Sequence, residues 1–156
     1  MKQIFLDFIS NEMLITAISS WLIAQVLKFI IFAMVNKKID FSRLFGDGGM
    51  PSGHSATVSS MATMSFLVYG VGSFEFAIAF MFAIIVMHDA KGVRLETGKQ
   101  AKVIKEIAQF VEKSIDLTTN FSDEKLKEFV GHTPLQVYFG AFLGIIVSCV
   151  IYFNFL

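Results

Sequence analysis

Charge is scarce in this sequence: 17% of its 156 residues are Asp, Glu, Lys or Arg, against roughly 25% in an average soluble domain. What charge there is cancels, 13 basic side chains against 13 acidic, so no excess of positive charge marks a polyanion binder and no nucleic-acid partner is expected. Cys149 is the one cysteine. It lies in an apolar run, which excludes an intrachain disulfide and argues against a thiolate metal site. Internal repeats and low-complexity stretches are absent as well. Hydrophobic residues fill the space, at 54% with 18 Phe, and mean hydropathy is +0.64. That excess argues against a disordered chain or a coiled coil and points to a small integral membrane protein.

A spanning helix needs roughly 20 mostly apolar residues. Four segments approach that length, at about 13–35, 55–71, 74–89 and 135–156. The first carries Gln25 and Lys28. The second is short and rich in Ser, Thr and Ala. The third reaches its length only through His88 and Asp89. The last, ending VSCVIYFNFL, is too apolar to belong to a soluble core. The expected fold is all-α: a membrane helical bundle of about four transmembrane helices, with residues 1–156 forming one domain. The first dozen residues, broken by Asp7 and Glu12, make a poor signal peptide and read as an interfacial lead-in.

Two segments lie outside the spans, at 36–54 and 89–133. In the second, Val103, Ile104, Ile107, Ala108 and Val111 fall on one face of a helix. A shorter helix is expected at 123–130, capped by Ser122. A tight turn near Gly70–Ser73 joins spans two and three, so the two polar segments share one side. They hold 11 of the 13 basic residues: Lys37, Lys38, Arg43, Lys91, Arg94, Lys99, Lys102, Lys105, Lys113, Lys125 and Lys127. The positive-inside rule assigns that side, with its amphipathic segment, to the cytoplasm.

Three motifs on that side could carry chemistry. In GDGGMPSGHSA, Ser52 can cap the second span, and Gly53 and His54 occupy its first turn. Free N–H groups there form a ready anion site, although a glycine-rich turn with a surface histidine is the plainer reading. In HDAKGVRLETGKQA, Asp89 and Arg94 mark a span exit. Arg94 offers a fork of donors to phosphate oxygens, or merely complements the helix dipole. In GHTPLQV, Thr133, Pro134 and Gln136 fit a capping box at the last span, which leaves His132 unexplained. Two histidines, each at a helix N-terminus with arginines nearby, fit phosphoryl transfer. Lys28 within a span is either a phosphate ligand or a lysine snorkelling to the interface. Small residues at Ser52, Ala56 and Ser60 allow close packing against a helix of the same chain or of a second copy.

The run GGMPSGHSA, followed by DAKGVR, GKQA and GHTPLQV, resembles the divergent branch of the type 2 phosphatidic acid phosphatase family, related to acid phosphatases and vanadium-dependent haloperoxidases. The likeness covers nearly the whole chain. It implies a metal-free, cofactor-free membrane phosphatase acting on a lipid phosphate or pyrophosphate through phosphohistidine. By that likeness His132 is the nucleophile, and His54 of the complete Pro-Ser-Gly-His motif is the acid/base. Arg43, Arg94 and Lys28 hold phosphate with Ser52 and Gly53, and Asp89 or Gln136 orients His132. The sequence departs from the wider family in three places. Leu44 follows Arg43 where the family has Pro. Arg94 lies 38 residues before His132. Gln136 stands where an Asp orients the nucleophile. The expected location is a bacterial inner (plasma) membrane. Two alternatives stay open: an isoprenoid pyrophosphate phosphatase, and a non-catalytic lipid-phosphate binder or assembly subunit.

Overall fold

Helix starts in this chain are set by short polar side chains that take up otherwise orphaned N–H groups. Asn11 accepts from the Leu14 N–H at 3.1 Å, and Ser73 accepts from the Phe76 N–H at 3.1 Å. Ser52 accepts from Ser55 N–H at 3.4 Å. The computed structural model describes residues 1–41, 49–115 and 133–155, with the side chains at 93–95, 109 and 112–115 left aside. Its elements are α1 (Lys2–Ile9), α2 (Glu12–Asn36), α3 (Gly53–Tyr69), α4 (Phe74–Lys91), α5 (Val93–Ile115) and α6 (Pro134–Phe155). Among the described residues every regular element is helical. The expected helix at 123–130, with its Ser122 cap, lies outside them.

Three stretches are long and apolar enough to cross a bilayer: Glu12–Asn36, Phe74–Ala108 and Pro134–Phe155. The second of these begins with α4 and runs across Gly92 into α5. At 17 residues, α3 would rise only about 26 Å, short of a hydrocarbon core of roughly 30 Å. Its place in the bundle accounts for its composition. It packs against α2, α4 and α6, so most of its surface meets protein rather than lipid. Ser55, Ser59, Ser60 and Ser65 are all buried. Hydroxyls in such a place must find acceptors, and several turn back onto their own helix. Thr57 donates to Gly53 O at 2.9 Å, Ser59 to Ser55 O at 2.6 Å and Thr63 to Ser59 O at 2.8 Å.

The contact between α3 and α6 is built from small residues on both sides. Gly140, Gly144 and Ser148 recur every fourth residue on α6, and Ser52, Ala56 and Ser60 do so on α3. A Cβ at Gly144 would run into Ala56 O and Ser59 Oγ, and one at Gly140 into Ser52 O. Ser148 Oγ donates to Ser60 O at 2.9 Å, and Ser59 Oγ to Ala141 O at 3.0 Å. The packing partner of the α3 stripe is thus a helix of the same chain. Between α3 and α4 the contact is apolar, with Ala79 and Ala83 set against Val58 and Ala62. The outward residues of α2, α4 and α6, such as Leu22, Phe82 and Phe142, stay exposed, as lipid-facing side chains should.

Gly92 breaks the line between α4 and α5. Val103, Ile104, Ile107 and Phe110 are more than half exposed on α5, and α5 touches α4 alone among the described helices.

Candidate functional site

Four helix ends meet at one end of the bundle. The N–H of Ser52 donates to Gln136 O at 3.0 Å, tying the start of α3 to the first turn of α6. Lys91 Nζ stands 5.9 Å from the centre of the Tyr138 ring, which sets the end of α4 beside the same turn. The C-terminal half of α2 completes the group through Lys28, against which the Gly49–Met50 turn is packed.

Lys28 is 4% exposed, so its aliphatic stem is sunk in the bundle rather than snorkelling outward. A Cβ at Gly49 would stand 3.0 Å from Lys28 Cγ, and φ at Gly49 is +104°. Glycine is required here twice over, for the backbone angle and for the close approach to Lys28. Beside them opens a cavity of about 170 Å³. Ile31, Phe32, Val35 and Met50 form its apolar walls, and Lys28 and Asn36 supply its polar groups. Such a space is smaller than the roughly 300–1,000 Å³ of a typical ligand pocket, and has room for a small anionic group beside Lys28.

Ser52 is fully buried. Its Oγ accepts from Ser55 Oγ at 3.1 Å in addition to the Ser55 N–H. It therefore acts as the N-cap of α3 and as a tether to α6. Gly53 faces α2, where an added Cβ would meet Trp21 Cδ1 at 3.4 Å. His54 follows in the first helical turn and is exposed, pointing away from the packed faces of α3. Asp89 is half-buried in the last turn of α4.

Gln136 forms the capping box in full. Its Oε1 accepts from Thr133 N–H at 3.1 Å, and its N–H donates to Thr133 Oγ1 at 3.4 Å. That pairing accounts for the residue at this position by helix initiation. Of the other sequence candidates, Arg43 and His132 lie outside the described residues. Arg94 sits in the first turn of α5, and its side chain is not described. The structure thus brings Lys28, Ser52, Gly53 and Gln136 into one contact network, with Asp89 two residues before Lys91 at the same end.

Sequence reasoning did not assign Gly49 to Lys28, Trp21 to Gly53, or α6 as the partner of the α3 stripe. The signal for the last was present in Gly140, Gly144 and Ser148. Nothing local pairs Gly49 with Lys28, because that contact depends on how the turn folds back over α2.

With this arrangement in view, comparison with known proteins decides the family. A family profile described as the Divergent PAP2 family matches residues 9–147. The chain belongs to that family. Family membership extends over α2, α3, α4 and α5 and most of α6, and so covers every element of the site. The chain is similar to an uncharacterized membrane protein, YuiD, of Bacillus subtilis (strain 168), at 37% identity over 158 residues, spanning 97% of this chain and all of that relative. No solved structure matches the chain.

Proposed function

We propose that this PAP2-related membrane protein hydrolyses a lipid phosphate or pyrophosphate through a phosphohistidine intermediate at the cytoplasmic face of the membrane. The observation that carries the reading is the meeting of three features at one end of the bundle. These are the Pro-Ser-Gly-His helix start, the buried Lys28 with the small cavity beside it, and the first turn of α6, which follows directly on His132.

In this reaction His132 attacks phosphorus. A P–N bond forms, and the bond to the leaving oxygen breaks. His54 gives that oxygen its proton, then takes one from water as the water oxygen attacks phosphorus, forming a P–O bond while the P–N bond breaks and frees His132. Lys28, Arg43 and Arg94 balance the charge on the phosphate oxygens, aided by N–H groups at the α3 N-terminus. Asp89 supplies the carboxylate that orients His132. The clustering of basic residues beyond this end of the bundle supports a cytoplasmic orientation.

The test is phosphate release by detergent-purified protein without added metal. The panel is phosphatidic acid, phosphatidylglycerophosphate, lysophosphatidic acid, and isoprenyl mono- and pyrophosphates. Release from one lipid class is the expected result, and the panel separates glycerolipid from isoprenoid substrates. Silence on all of them from a folded sample would sink the reading.

The rate should also fall on acidification through the range of free imidazole, about pH 6.5. The sign follows from the chemistry, because a protonated His132 has no lone pair with which to attack. A rate flat down to about pH 5, well below that range, would count against a histidine nucleophile. Replacing Lys28 by methionine keeps its stem and removes its charge. It should raise KM about tenfold or more, the loss of roughly 1.4 kcal/mol of binding.

One observation favours a second reading, a lipid-phosphate binder without turnover. Gln136 occupies the family's Asp position, and its carbonyl oxygen is already engaged by Thr133. A binder would keep its lipid affinity when His132 is replaced.

A further inference from the structure

On the helices that cross the bilayer, large apolar side chains face outward and small ones inward. Leu22, Phe82 and Phe142 are exposed on α2, α4 and α6, whereas Ala24, Ala79 and Ala83 are buried, as are Gly140 and Gly144. A helix on a water-soluble core has the opposite order, because burial of its largest apolar side chains is what holds it there. The order of sizes on a helix thus tells lipid from water.

The order on α5 is that of the spans. Gly98 and Ala101 are buried, and Ala108 is half-buried. Val103, Ile104, Ile107, Phe110 and Val111 are exposed. At about 100° per residue, these five fall within one arc of about 120°, and Gly98 and Ala101 lie outside it. The side of α5 that protein covers is therefore not its apolar face. Unlike the spans, α5 also has a charged side. Lys99, Lys102 and Glu106 are exposed and lie outside the apolar arc. An apolar face backed by a charged one is the pattern of a helix that lies in the membrane surface rather than across it.

Length and position agree. The apolar stretch Phe74–Ala108 has 35 residues and would rise about 52 Å as one straight helix, far more than a hydrocarbon core of roughly 30 Å. With 18 residues, α4 alone rises about 27 Å, so α5 starts where that core ends. Gly92 lies between the two helices, with φ −104° and ψ −89°, well away from helical values, and breaks the line there. A helix directed away from the bilayer from this point would hold all five apolar residues in water. One lying along the surface buries them where headgroups meet acyl chains. Basic residues on α5 outnumber acidic ones, five to three, which suits a surface of anionic headgroups.

We infer that α5 is an in-plane anchor. It lies on the bilayer surface at the site's end of the bundle, with Ile104, Ile107 and Phe110 in the headgroup–acyl boundary and Lys102 and Glu106 toward water. Its partner is the lipid surface itself, and the inference does not depend on catalysis. Docking fixes the direction in which α5 leaves Gly92, and with it the turn that carries Arg94.

The experiment is a depth scan of the full-length protein in vesicles of phosphatidylcholine and phosphatidylglycerol. Cys149→Ser removes the native thiol. Lys102→Cys, Ile104→Cys, Glu106→Cys, Ile107→Cys and Phe110→Cys, made singly, then each carry one nitroxide. Oxygen, which concentrates in hydrocarbon, and a nickel chelate, which stays in water, report its depth. Labels at Ile104, Ile107 and Phe110 should lie about 5–10 Å below the lipid phosphates, the depth of an interfacial helix. Labels at Lys102 and Glu106 should be open to nickel. Adding Ile104→Asp and Ile107→Asp to the Phe110→Cys protein should bring its label within reach of nickel.

Nickel access at Ile104, Ile107 and Phe110 equal to that at Lys102 overturns the inference, because the face is then in water. Shielding of these labels from both reagents overturns it too, since protein then covers the face, from this chain or a second copy. A depth near the bilayer middle makes α5 part of a span and is equally fatal, as is a Phe110 label that keeps its depth in the aspartate variant. If that variant does not elute as a monodisperse species, the single-label scan decides alone.

Discussion

His132→Ala should abolish phosphate release, and His54→Ala should reduce it by about 10²–10⁴-fold, the range of general acid–base catalysis. The two losses differ because the roles differ. Without His132 no P–N bond can form, and only direct attack by water remains. Without His54 the covalent step can still occur, with the leaving oxygen protonated by solvent. The steady state should separate them further. His54→Ala slows both protonation of the leaving group and activation of water, so quenched samples should contain an acid-labile phosphoprotein. His132→Ala samples should contain none. The His54 side chain is exposed. Tm should therefore be close to wild type in the His54 variant. Full turnover by His132→Ala would remove it as nucleophile and throw weight on another histidine, with His88 at the end of α4 the next to examine.

Gly144→Val should unfold the bundle or destabilise it heavily, whatever the protein does. A Cβ at that position would overlap Ala56 O and Ser59 Oγ and press on Ser60 N at 2.9 Å. Two of these three neighbours are backbone atoms in the middle of a helix, which cannot step aside as a flexible side chain would. Relief requires α3 and α6 to move apart. That separation breaks the Ser148–Ser60 and Ser59–Ala141 hydrogen bonds and disturbs the Ser52–Gln136 tether at the site. Overpacking of this kind costs on the order of 3 kcal/mol, or a fall in Tm of roughly 6–12 °C for a chain of this size. Gly72→Ala is the matched control, since an added Cβ there meets nothing within 4 Å. A Gly144→Val protein as stable as Gly72→Ala would mean that α3 and α6 do not pack as described. Loss of activity is expected to accompany loss of stability in this variant, unlike the histidine variants.

The membrane character of the chain was legible from the sequence because it depends on length and apolarity, which are local. The helix starts at Ser52 and Thr133 were legible for the same reason, as a cap acts on N–H groups two or three residues away. The Pro-Ser-Gly-His motif and the histidine before the last span carried a family resemblance, and the family match agrees with it. Tertiary structure decided the rest. Small residues every fourth position mark a face of α3 but do not name its partner, and only packing pairs that face with Gly140, Gly144 and Ser148. Whether the Lys28 stem is packed or snorkels outward is open until Gly49 is seen against it. Sequence determined which segments leave water and which polar groups they carry with them. Tertiary structure decided which of those groups face each other, because contact between helices depends on atoms that no single helix contains.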